Sequence, residues 1–136
     1  MALIAVGVNH TTAPIEVREK LAFRPAEALA RLARLRSDGI AREGVILSTC
    51  NRTELYLVEQ NGDAFEHSSA ILSDRLGQDA SRFVYVHRDR EVVAHLFAVT
   101  AGLDSMILGE AQIHGQVKAA WEQGRNEAGP LLNRMF

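Results

Sequence analysis

The chain has 136 residues, 47% of them hydrophobic and 24% charged, a balance that fits one folded domain with a real core. Its formal net charge of −2 gives no global basic field to announce nucleic-acid binding. A single cysteine excludes an internal disulfide, Met1 to Gly7 lacks the basic leader of a signal peptide, and no apolar run approaches a membrane span, so a cytoplasmic protein is expected.

Ala2 to Val8 is apolar and β-compatible, and it ends in the polar loop Asn9-His10-Thr11-Thr12-Ala13-Pro14. Pro14 suits the first turn of a short helix. Pro25 opens a clearer helix, with Ala28, Leu29, Leu32 and Leu35 at helical spacing and Gly39 as its stop. Arg31, Arg34, Arg36 and Arg42 cluster around it. Arginine suits phosphate and carboxylate, but a solvated helix face is the blander reading. Val45-Ile46-Leu47 reads as a buried strand and Thr53 to Val58 as the next.

Asp63 is expected to cap another helix, with Glu66 three residues on in the capping-box pattern. Ala70, Ile71 and Leu76 supply part of its apolar face, and Gly77 sits at its end. Phe83 to Val86 reads as a fourth strand. The order β-α-β-β-α-β is the ferredoxin-like split βαβ plan: an α+β fold with an antiparallel sheet and helices on one face. This core is expected over residues 1–88. Residues 89–136 form a helical part, in which Asp89 caps a helix through Val99 and Gly102 to Phe136 is helical nearly throughout. Leu131, Leu132, Met135 and Phe136 make an apolar surface with nothing after it to cover it. That surface suggests an excised N-terminal piece, or a face that docks on a partner.

Cys50 lies in Ser48-Thr49-Cys50-Asn51-Arg52-Thr53-Glu54, at the tight connection between two strands. A thiol in such a place is either a small buried hydrophobe or a nucleophile favoured by a nearby cation and exposed backbone N–H groups. His95 lies beside the stripe Val92, Val93, Leu96 and Phe97, where it points into a cleft or sits on the surface. His10 stands in a loop at a strand end. Ser105, Gly109, Gln112 and Gln116 are spaced 4, 3 and 4 apart and share one face of a continuous helix, with Glu110 beside them. That small polar face suits a small polar ligand, or simply solvent. There is no Gly-x-Gly-x-x-Gly, no Walker loop and no zinc-ligand spacing, so no metal is expected.

Three segments, Gly7 to Pro14, Leu47 to Tyr56 and His95 to Ile113, resemble the N-terminal catalytic domain of glutamyl-tRNA reductase. The resemblance implies that a cysteine thiolate attacks the ester of glutamyl-tRNA, leaving a thioester that NADPH reduces to glutamate-1-semialdehyde for tetrapyrrole and haem synthesis. By that resemblance Cys50 is the nucleophile, and His95 matches a histidine important for activity that assists proton transfer. Thr49, Cys50, Asn51 and Arg52 match the substrate-binding turn, with Arg52 holding the glutamate α-carboxylate. Ser105, Glu110, Ala111, Gln112 and Gln116 match the remaining substrate positions. The family carries an NADPH-binding domain and a dimerisation domain after a long spinal helix, whose start is expected near Phe136. The implied partners are glutamyl-tRNA, a second copy in a homodimer, and the next pathway enzyme or a regulator. A rival reading is a non-catalytic tRNA-binding or regulatory module with a structural cysteine. A third is an interaction fragment.

Overall fold

The computed structural model describes residues 2–101. The elements run β1 (Leu3–Asn9), α1 (Ile15–Leu21), α2 (Pro25–Ser37), β2 (Ala41–Ser48), β3 (Arg52–Glu59), α3 (Ala64–Leu76), a single 3-10 turn (Ser81–Phe83), β4 (Tyr85–Arg88) and α4 (Arg90–Thr100). The strands form one sheet in the order β2-β3-β1-β4, with every neighbouring pair antiparallel. Each strand joined by a helical crossover is therefore separated from its partner by one inserted strand. The α+β class and antiparallel sheet agree with the sequence reading, as do the two helices, expected from Pro14 and Pro25, that join β1 to β2.

Both faces of the sheet are covered. Ile4, Val6, Val8, Leu55 and Leu57 point to one side and pack against Val17 and Leu21 of α1, Leu32 and Leu35 of α2, and Ile71, Leu72 and Leu76 of α3. Alternate residues Leu3, Ala5, Val45, Leu47, Tyr56 and Val58 point to the other side and meet Val92, Leu96 and Val99 of α4. This is the period of two expected of strands. Here both faces are buried, so β1 and β3 bury every residue.

Several local expectations change. The fourth strand starts at Tyr85, because residues 81–83 turn as 3-10 helix and bury Phe83. Asp63 makes no side-chain cap; its carboxylate instead faces His67 Nε2 at 3.4 Å, so the capping box expected at α3 does not form. A reciprocal bond of that kind occurs at α2, where the Arg24 N–H donates to Glu27 Oε1 at 2.9 Å. On α3, Leu72 is buried and Ala70 exposed; on α4, Phe97 is exposed and Val99 takes the core position. Asp89 does not cap α4 either. Its Oδ1 accepts the Leu3 N–H at 3.2 Å, and its own N–H donates to the Leu3 carbonyl at 2.8 Å, tying the start of α4 to β1. That clamp holds Asp89 at φ 53°, a conformation most side chains avoid.

Candidate functional site

The β2–β3 hairpin ends in Thr49, Cys50 and Asn51, between Ser48 and Arg52. Thr49 shapes this turn. Its Oγ1 accepts the N–H groups of Asn51 and Arg52, both at 3.2 Å, and its own N–H donates to the Arg52 carbonyl at 2.7 Å. A threonine that substitutes for backbone partners in this way stabilises a tight reversal. The result lifts Cys50 out of the fold: its thiol is free and exposed, so the buried-hydrophobe reading of this cysteine does not hold.

Below the tip the two faces diverge. On the α1 side, Ser48 Oγ accepts the Phe23 N–H at 2.9 Å and contacts Thr53 Oγ1 at 3.1 Å, anchoring the hairpin to the segment after α1. Arg18 of α1 reaches the tip and donates from Nη1 to the Cys50 carbonyl at 3.3 Å. A groove of about 370 Å³ runs here, lined by Ile15, Arg18, Ala22, Phe23, Thr49 and Cys50, with Glu19 at its edge.

On the α4 side lies a buried polar cluster centred on Glu54, a residue the sequence reading quoted in a motif but gave no role. Glu54 is fully buried. Its Oε2 accepts from Arg52 Nη1 at 3.2 Å, from the Tyr85 hydroxyl and from His95 Nε2, while Oε1 accepts from the Tyr56 hydroxyl at 2.8 Å. Burial pushes the Glu54 carboxyl up, but the hydrogen bond and charge of His95, the charge of Arg52 and the hydrogen bond of Tyr85 outweigh it and hold the carboxyl below its ordinary range. Burial first, then the Glu54 charge and hydrogen bond, raises the Tyr56 hydroxyl well above its usual value, so it stays a donor.

Gly7 makes room for this carboxylate. It lies opposite Glu54 in β1, and a Cβ there would stand 2.5 Å from the Thr53 carbonyl oxygen and 2.8 Å from Glu54 Cγ. His95 is further fixed by His87, whose ring stacks on it with centroids 4.3 Å apart, and by the Tyr85 ring, set edge-on with centroids 5.6 Å apart. His95 thus faces the sheet, not solvent. The signal that could have found Glu54 was period two: a carboxylate between Arg52 and Tyr56 on a face otherwise apolar must be buried with partners.

Thr49, Cys50, Asn51 and Arg52 therefore share one turn, and Glu54 links Arg52 to His95 across to α4. Ser105, Glu110, Ala111, Gln112 and Gln116 lie outside the described residues, as does the apolar surface at Leu131 to Phe136. Among the described residues no group of His, Cys, Asp and Glu side chains is arranged to hold a metal ion.

Residues 6–136 match the family model described as glutamyl-tRNAGlu reductase, N-terminal domain. The chain belongs to this family. It is 44% identical over 141 residues to the glutamyl-tRNA reductase of Rubrobacter xylanophilus and 49% identical over 144 residues to that of Pseudomonas aeruginosa. All of the chain is covered in both, against 33% of each relative, so it spans about a third of their length. Among solved structures, the glutamyl-tRNA reductase from Methanopyrus kandleri superposes with a TM-score of 0.78 at 29% identity, covering 98% of this chain and 31% of that one.

Proposed function

We propose that this domain performs the acyl-transfer half of glutamyl-tRNA reduction, with Cys50 as nucleophile. The observation that carries the reading is an exposed thiol at a hairpin tip clasped by Thr49 and backed by the Arg52–Glu54–His95 cluster. Sγ, as thiolate, attacks the ester carbonyl. The S–C bond forms, the ester C–O bond breaks, and the terminal hydroxyl oxygen of the tRNA takes a proton as it leaves. A thioester is the better acceptor for later reduction, because sulfur donates less electron density into the carbonyl than oxygen does, and covalent capture keeps the acyl group in place.

His95 is the proposed proton manager. Its Nε2 is held by the Glu54 carboxylate, which fixes the orientation of the ring. Thr49, Asn51 and Arg52 bind the substrate at the turn, and Ser105, Glu110, Ala111, Gln112 and Gln116 complete the set proposed from the resemblance. The role expected of Arg52 needs one chemical correction. In glutamyl-tRNA the α-carboxyl is the esterified group, so the carboxylate a guanidinium can meet is that of the side chain. Arg52 is buried with Nη1 paired to Glu54, so it braces the turn from beneath as well as supplying positive charge for that carboxylate.

The described residues do not fit NADPH. The sheet is antiparallel, without the crevice at parallel strand ends where dinucleotides bind, and the sequence has no Gly-x-Gly-x-x-Gly. The steps assigned to this chain end at the thioester. No helix among the described residues is long and apolar enough to cross a membrane. Leu131, Leu132 and Phe136, the apolar residues expected to dock a partner, lie outside residues 2–101.

The test is the intact mass of the chain after mixing with glutamyl-tRNA without NADPH and quenching in acid. A glutamyl adduct that is absent from Cys50→Ser is the expected result. An unmodified chain whose thiol is also inert to alkylation would favour the non-catalytic module.

A further inference from the structure

We propose that the groove between α1 and the hairpin tip is the subsite for the terminal nucleoside of the tRNA, with Arg18 as the residue that ties this subsite to the nucleophile. The inference rests on the acyl-transfer reading of Cys50 and deepens it. An ester presented to Cys50 has two arms. The strand alternation that sends Arg52 and Glu54 to the α4 face sends Ser48 and Thr53 to the α1 face, so the tip divides the protein into two sides. The buried polar cluster occupies the α4 side. The alcohol arm, which ends in a nucleoside, then has the α1 groove beside it.

The groove suits that occupant. Its volume of about 370 Å³ lies within the range of small-molecule sites. Its walls are largely apolar, through Ile15, Ala22 and Phe23, and Ile15 is 53% exposed on a seven-residue helix whose other apolar residues, Val17 and Leu21, are buried. A nucleobase is a flat apolar surface with polar edges, and it gains from such a wall. Glu19 at the rim can accept from base or ribose donors.

Arg18 adds a second, independent sign. Its Nη1 holds the Cys50 carbonyl, while its Nε–H is buried with no hydrogen-bond partner. A buried unsatisfied donor is costly and asks for an explanation. A phosphate or ribose oxygen of the incoming nucleotide supplies the missing acceptor, and guanidinium suits it. Arg18 is on this account a positioning residue, coupling occupancy of the groove to the carbonyl of the nucleophile.

The experiment is protection of Cys50 from iodoacetamide by deacylated tRNA, compared with the same tRNA lacking its last nucleotide. The intact tRNA should slow alkylation at least fivefold more than the shortened one. Ile15→Glu should erase that difference, each variant being compared with its own alkylation rate without tRNA. Arg18→Ala should erase it also, with partial rescue by Arg18→Lys. Equal protection by the two tRNAs, or a difference that survives Ile15→Glu and Arg18→Ala, overturns the groove assignment. Neither of those results touches the acyl-transfer reading, which fails separately if glutamyl-tRNA leaves no adduct on Cys50.

Discussion

On the face of the sheet covered by α1, α2 and α3, the interior is aliphatic and aromatic throughout its core, from Ile4 and Leu57 out to Leu72 and Phe83. On the α4 face, a smaller apolar patch shares its space with Arg52, Glu54, Tyr56 and His95. Packing on the first face is non-directional and draws its stability from area removed from water. The second face buries a charge, which is tolerable only while every lone pair of Glu54 is answered. The difference separates two tasks within one sheet: one side holds the fold, and the other fixes groups next to the thiol-bearing turn.

The comparison breaks most readily at its centre. Glu54→Ala should lose about 3–5 kcal/mol in urea unfolding, because it strands the Arg52 charge inside the protein. Its pH signature carries a sign. The folded-state carboxyl is held below its usual 4.5, so its contribution is complete above that value and disappears as pH falls through the lower folded value. The wild type should lose stability over that acidic range relative to Glu54→Gln. A difference between them that does not vary with pH would place the carboxylate outside the network.

Leu72→Ala, on the apolar face, should cost about 2–5 kcal/mol by transfer and cavity terms. Its cost should be the same at pH 7 and pH 4, and Cys50 alkylation should keep its rate. A changed alkylation rate would mean the two faces are not independent. Gly7→Ala sharpens the contrast from the other side. Overpacking against the Thr53 carbonyl should cost about 1–3 kcal/mol and displace Glu54, so it should also shift the histidine resonances of His95 in NMR spectra. Stability loss with unmoved His95 signals would confine the effect to backbone strain. The smallest effect is expected at Thr49→Ala. Losing the side-chain clasp should cost about 1 kcal/mol, with Thr49→Ser restoring most of it. The alkylation rate of Cys50, rather than the melting temperature, is the sensitive readout there.

Much of the frame was legible in the residues. Pro14 and Pro25 mark helix starts, Gly39 and Gly77 mark ends, and the first three strands lie where apolar runs placed them, because proline geometry, left-handed glycine and apolar patterning act within a few residues; the fourth is displaced to Tyr85–Arg88. The motif around Cys50, with His95 and its flanking segment, pointed to the family on sequence alone. Local reading failed where a distant partner competes for a side chain. Asp89 looked like a cap and serves β1 instead; Asp63 looked like a capping box and faces His67.

The sequence by itself therefore determined the elements, their order and the family, since propensity, punctuation and motif are properties of neighbouring residues. Only the tertiary structure decided that α4 closes the second face, that Glu54 joins Arg52 to His95 across 41 residues of chain, and that Cys50 stands exposed between that network and the groove of α1. Those facts depend on strand order and on which side of a pleat each residue falls. Both are settled when the sheet is assembled and not before.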